Sequence, residues 1–157
     1  MYAWKPNPSV FMFMSLGLLL FNGSLLLRSP CGVNMTSSEE LTTRRVTDSF
    51  NEAFNRHDAS ALAELLTDDT LFEDTSPAPD GQRIEGHTNV VTFWRGWFAR
   101  NPDARFDTEE IIVCGNRAVV RWVYRKVRNG QPWHLRGVDI FTVRDGRVAA
   151  KLAYVKG

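Results

Sequence analysis

Two aspartates interrupt apolar patterns in this chain, and carboxylates in unlike surroundings are what proton-transfer chemistry asks for. The first, Asp74, ends the apolar part of "LFEDTSPAPDG", Leu71 to Gly81. Period-two alternation puts Phe72 and Asp74 on one strand face, so a core-facing Phe72 sets Asp74 at the mouth of that core. A solvated turn acid capping the following Thr-Ser-Pro is the plainer alternative. The second, Asp139, lies in "WHLRGVDIFTV", where alternation gathers Trp133, Leu135, Gly137, Asp139, Phe141 and Val143 on one side. A carboxylate in the middle of that apolar face has three ways to exist. It meets a cation such as Arg121 or Arg136, it stays protonated, or the face borders a pocket with polar contents.

Aromatic side chains surround both acids in number. Trp94, Phe98 and Trp122 are suited to hold the apolar body of a small molecule, and Phe50, Phe72, Phe141 and Tyr154 extend the same set. Most aromatics at such spacings are packing residues. Four tryptophans in one modest domain nonetheless suggest a cavity lined by rings and carrying a few acids.

Other chemistries find little support. Only Cys31 and Cys114 could form a disulfide, and His57, His87 and His134 lie far apart without metal-ligand spacing. No glycine-rich phosphate loop is present, so no cofactor is expected. A net charge of +1, with basic and acidic residues interspersed, offers nothing to neutralise phosphates, and nucleic acid is not an expected partner.

The elements that would position the acids are readable from residue 35 onward. Ser37-x-x-Glu40 forms a capping box, and Leu41, Val46, Phe50, Ala53 and Phe54 follow on one helical face. Asp58 caps a short second helix carrying Leu62, Leu65 and Leu66. A short strand, "TLFED", is stopped by two prolines and a glycine. Val90, Trp94, Trp97 and Phe98 define a third helix over His87 to Arg100, ended before Pro102. Strands are expected near 105–114, 118–127, 133–143 and 147–155, joined by tight turns at Gly115-Asn116, Asn129-Gly130 and Asp145-Gly146. Helices followed by a meander of strands make the class α+β.

Residues 1–34 differ from the rest, with "VFMFMSLGLLLFNGSLLL" at Val10 to Leu27, no acid, and only Lys5 and Arg28 charged. They are expected to lie outside the fold, as a start-site artefact, a membrane anchor through residues 10–27, or a secretory signal. The protein is expected in the cytoplasm if translation starts at Met35, and otherwise anchored or secreted. The domain is then Met35 to Gly157, whose formal charge without Lys5 and Arg28 is −1.

Over that whole domain the chain resembles the NTF2-like superfamily, especially its SnoaL-like and ketosteroid isomerase branches. The resemblance rests on "RHDASALAELLTDDTLFEDTSP", "IEGHTNVVTFW" and "RGVDIFTVRDGRVAAKLAYVKG" in that order. It implies a cone in which three N-terminal helices pack on a curved antiparallel sheet around an apolar pocket. A homodimer through the sheet's outer face is implied too, which Val138 and Ile140 would suit. Asp74 falls at the position of the ketosteroid isomerase general base, and Asp139 at that of its protonated oxyanion-hole acid, whose neutrality has a known physical basis in that family. The oxyanion tyrosine is replaced by Phe50, which cannot donate a hydrogen bond. Tyr154 or His134 is the candidate substitute.

Three functional readings follow. The first is cofactor-independent acid/base chemistry of isomerase, cyclase, dehydratase or epoxide-hydrolase type on a small apolar oxygenated substrate, with Asp74 as base and Asp139 stabilising charge on oxygen. The second is non-catalytic binding of a hydrophobic ligand. The third is a dimeric interaction adaptor with a filled pocket and an exposed apolar patch.

Overall fold

The computed structural model describes residues 37–156; the apolar segment 1–34 and the three readings of it lie outside the described residues. The helices are α1 (Ser38–Asn55) and α2 (Ala59–Glu64), which come first, and α3 (His87–Arg100), which follows two strands. The strands are β1 (Leu66–Glu73), β2 (Arg83–Glu85), β3 (Arg105–Cys114), β4 (Arg117–Arg128), β5 (Gln131–Arg144) and β6 (Arg147–Val155). No helix among the described residues is long and apolar enough to cross a membrane.

The expected capping box opens α1. Ser37 Oγ accepts from the Glu40 amide, and the Glu40 carboxylate accepts from the Ser37 amide. The buried stripe of α1 comprises Thr43, Val46, Thr47, Phe50, Ala53 and Phe54, spaced by threes and fours. Leu41 departs from expectation. It is 54% exposed, because the helical period of about 100° per residue puts it on the side of α1 opposite Phe50 and the buried stripe. Two polar tethers fix α1 in its place instead: Thr43 Oγ1 donates to the Gly115 carbonyl at 2.9 Å, and the Gly115 amide donates to Glu40. Asp58 caps α2 by accepting from the amides of Ser60 and Ala61. Leu66, expected on that helix, is instead the first residue of β1.

The class is the expected α+β, with the six strands in the order β2-β1-β6-β5-β4-β3. The sheet is mixed and not antiparallel throughout, since β1 runs parallel to β6. Only β2 and α3 lie between β1 and the meander β3 to β6; the chain re-enters the sheet at the far edge, so the last strand returns alongside the first. The edge strand β2, too short to show a pattern in sequence, pairs with β1. Positive φ at Asn129, Gly130, Asp145 and Gly146 confirms the two tight hairpins. The core lies between the helices and the inner sheet face, centred on Phe50, Phe72, Trp94, Val120 and Phe141.

Candidate functional site

Asp74 follows directly on β1, two residues beyond Phe72, whose side chain is 2% exposed. The Pro-rich loop closes tightly on this residue. The Asp74 amide donates to the Gln82 carbonyl at 2.9 Å, and Asp74 Oδ1 accepts from the Thr75 amide at 2.8 Å. Gly81 is required there. It has φ +80°, and a Cβ on it would stand 1.7 Å from the Asp74 carbonyl oxygen. Burial pushes the Asp74 carboxyl above the ordinary aspartate range, opposed by the Thr75 amide and the charge of Lys151 and reinforced by the charge of Asp139.

Asp139 occupies the inner face of β5, 4% exposed, as alternation requires. Its partner is not an arginine. Lys151 of β6 places Nζ 2.8 Å from Asp139 Oδ2, with both side chains buried. Arg121 and Arg136 instead engage Glu109 and Glu110 on the exposed face of the sheet. An ion pair therefore stands where the resemblance implied a neutral hydrogen-bond donor. Lys151 Nζ also lies 5.2 Å from the Phe72 ring centroid and 5.8 Å from those of Trp94 and Phe141, so its charge meets aromatic faces.

Asp74, Asp139 and Lys151 line one cavity of about 100 Å³. Phe50, Phe72, Trp94 and Trp122 contribute to its wall, so the structure brings these expected residues together with both acids. Gly137 is what admits Trp122: a Cβ at 137 would lie 2.4 and 2.5 Å from atoms of the indole ring. Val155, 39% exposed, marks an open side.

Three expected pocket residues lie elsewhere. Phe98 packs behind the cavity against Phe54 and His57, at ring separations of 5.0 and 4.9 Å. Phe141 is fully buried beneath it, edge-on to Phe50 at 5.3 Å. Tyr154 is 49% exposed on the outer sheet face. It cannot replace the missing tyrosine, and neither can His134, which is exposed on that same outer side.

The residues that sequence reasoning missed are Lys151 and Asn51. Asn51 sits beside Phe50 on α1, and its Nδ2 is buried without a hydrogen-bond partner at the cavity. The repeat "FNEAFN", with an amide after each core phenylalanine, is the signal that could have found it. His57 and His87 are structural: their Nε2 atoms bond the carbonyls of Ala104 and Ala63.

The family profile of the SnoaL-like domain matches residues 46–151. Among solved structures, the chain is similar to an NTF2-like protein of unknown function from Mesorhizobium loti, with 37% identity and a TM-score of 0.69, covering 78% of this chain and 98% of that one. It shares the fold of a candidate SnoaL-like polyketide cyclase from Jannaschia sp. CCS1, at 18% identity, TM-score 0.68, and coverages of 78% and 91%. It likewise shares the fold of an LEH-like epoxide hydrolase from M. tuberculosis, at 19% identity, TM-score 0.62, and coverages of 75% and 85%. None of the curated proteins compared matches the chain.

Proposed function

The chain belongs to the SnoaL-like family of the NTF2-like superfamily, and from that premise we propose that its cavity performs acid/base chemistry on a small apolar substrate bearing a polarisable oxygen. One observation carries the reading: Asp74, its carboxyl raised by burial, shares an aromatic cavity with the buried Lys151–Asp139 pair. A base whose proton affinity is lifted toward neutrality suits proton abstraction beside a carbonyl or activation of a water. The ammonium of Lys151, held by Asp139, offers positive charge to an oxyanion in a low-dielectric site, a role the ring of Phe50 cannot fill. In this mechanism Asp74 moves the proton, Lys151 stabilises charge, and Asp139 positions Lys151.

Replacing Asp74 by Asn tests this. Against a panel of small ketones and epoxides, turnover should fall by about 10²–10⁴-fold, the usual contribution of a general base, while binding persists. Turnover unchanged in D74N would remove Asp74 from the mechanism.

A second reading, non-catalytic holding of an apolar ligand, draws support from Phe50, which is 1% exposed and presents no hydroxyl to the cavity. Under it, ligands bind wild type and D74N alike and leave unchanged. The adaptor reading expects a filled core, and a cavity of about 100 Å³ speaks against it.

A homodimer is part of the same proposal. Ile112, Val119, Ile140 and Leu152 are successive cross-strand partners over β3, β4, β5 and β6, forming an apolar stripe on the side away from the helices. Such a stripe, flanked by the Arg121 and Arg136 ion pairs, suits a second copy of the same surface.

A further inference from the structure

Three buried side-chain polar atoms lack a hydrogen-bond partner among the described residues: Asn51 Nδ2, Trp122 Nε1 and Asp139 Oδ1. All three residues line the cavity that holds Asp74. Buried polar groups are nearly always partnered, because a bare one forfeits its hydrogen bonds to water without replacement. Three of them meeting in one small aromatic cavity form the complement of a ligand's own polar groups.

The chemistry of each atom is restricted. Indole Nε1 only donates, and Trp122 is 4% exposed. The Asn51 amide nitrogen also donates. Asp139 commits Oδ2 to Lys151, which leaves Oδ1 as an acceptor. In the β4–β5 ladder Trp122 faces Gly137 and Val120 faces Asp139, so Trp122 and Asp139 share the inner face, diagonal to each other. Such neighbours stand about 7–8 Å apart at the backbone, a separation one small molecule with two polar groups can bridge. Size adds a limit. The cavity of about 100 Å³ is smaller than the ~150 Å³ that accommodates a benzene, so a fused-ring skeleton does not fit wholly inside.

We propose that the ligand is a small hydroxylated carbonyl compound of roughly four or five non-hydrogen atoms, its carbonyl oxygen accepting from Trp122 Nε1 and Asn51 Nδ2 and its hydroxyl donating to Asp139 Oδ1. This names the substrate class of the proposed site and rests on reading the cavity as a ligand pocket.

The test titrates the full chain carrying Asp74→Asn, which holds the ligand without turning it over, with hydroxyacetone, acetone and 2-propanol. Binding is followed at the Trp122 indole N–H in nitrogen-15 NMR spectra, assigned with Trp122→Phe. The hydroxyketone should bind about tenfold tighter than either parent, in line with one added hydrogen bond to a charged acceptor, and should shift the Trp122 indole signal. Trp122→Phe should weaken it about fivefold while leaving 2-propanol nearly unaffected. Equal affinity for all three probes, or binding that leaves the indole signal unmoved, overturns the proposal. Those outcomes leave the catalytic reading standing if Asp74→Asn still abolishes turnover of another ketone or epoxide. Binding of no probe at all overturns this assignment as well.

Discussion

Lys151 Nζ lies 2.8 Å from Asp139 Oδ2, with the two side chains only 9% and 6% exposed. The pair crosses between adjacent antiparallel strands, since Asp139 faces Ala153 and Lys151 faces Phe141 in the β5–β6 ladder. Two ions withdrawn from water are costly, and their attraction does not by itself repay that cost. The arrangement is better understood as placing a cation inside an aromatic cavity than as a device for stability.

Removing one partner should therefore be worse than removing both. Lys151→Met leaves Asp139 buried without its cation and should destabilise the fold by about 3–5 kcal/mol. Lys151→Met combined with Asp139→Leu should recover most of that loss. Urea unfolding of the single and double variants measures the difference; equal stability of the two would contradict the ion pair.

The inward position of Lys151 and the outward position of Tyr154 have a local cause. Val143 pairs with Val148 but Thr142 pairs with Ala150, so Ala149 is an extra residue in β6. Such a bulge reverses alternation beyond it. Counted strictly from the buried Val148, the inward positions would be Leu152 and Tyr154; after the bulge they are Lys151 and Ala153. By contrast β5 has no irregularity across Gly137 to Thr142, and there alternation placed Asp139 and Phe141 on the inner face as expected. Helices were legible because their signals are contiguous, as in the capping box at Ser37 and the stripe of α3. The parallel pairing of β1 with β6 was not, since it joins segments far apart in the chain through contacts that no local pattern records.

Asp74 makes stability depend on pH with a definite sign. Its carboxyl is raised in the folded protein, chiefly by burial, so the folded state holds its proton more tightly than the unfolded chain does. Stability from this group is full below the unfolded value of about 3.9 and declines as pH rises through the folded value. Asp74→Asn, which has no proton to lose, should gain stability relative to wild type across that interval. Urea midpoints of both proteins at a series of pH values measure it, and a difference that stays constant or shrinks would contradict the raised carboxyl.

Gly137 is irreplaceable for a reason of space, not of φ. A Cβ there would lie 2.3 Å from the Tyr154 carbonyl oxygen and 2.4 Å from the Trp122 ring. The backbone contact cannot yield without displacing β6. Gly137→Ala should cost about 1–3 kcal/mol, the usual range for overpacking, and should shift the Trp122 emission as the indole is pushed into the cavity. Wild-type stability with unaltered fluorescence would mean that the two strands separate more easily than their register suggests.

The apolar stripe across the sheet gives the last prediction. Ile140 stands at its centre, between Val119 on β4 and Leu152 on β6, and it points away from the core that Phe141 and Asp139 enter. A lysine at 140 in a lone protomer would extend its charge into water at little cost, because surface substitutions usually change stability by less than about 0.5 kcal/mol. In a two-fold interface the same substitution is made on both copies of one self-complementary surface, so two unpaired charges are buried near each other. Ile140→Lys should then convert a dimer to a monomer in sedimentation velocity while leaving the far-ultraviolet circular dichroism unchanged. A wild-type protein that sediments as a monomer, or a variant that remains dimeric, would place the interface elsewhere or remove it.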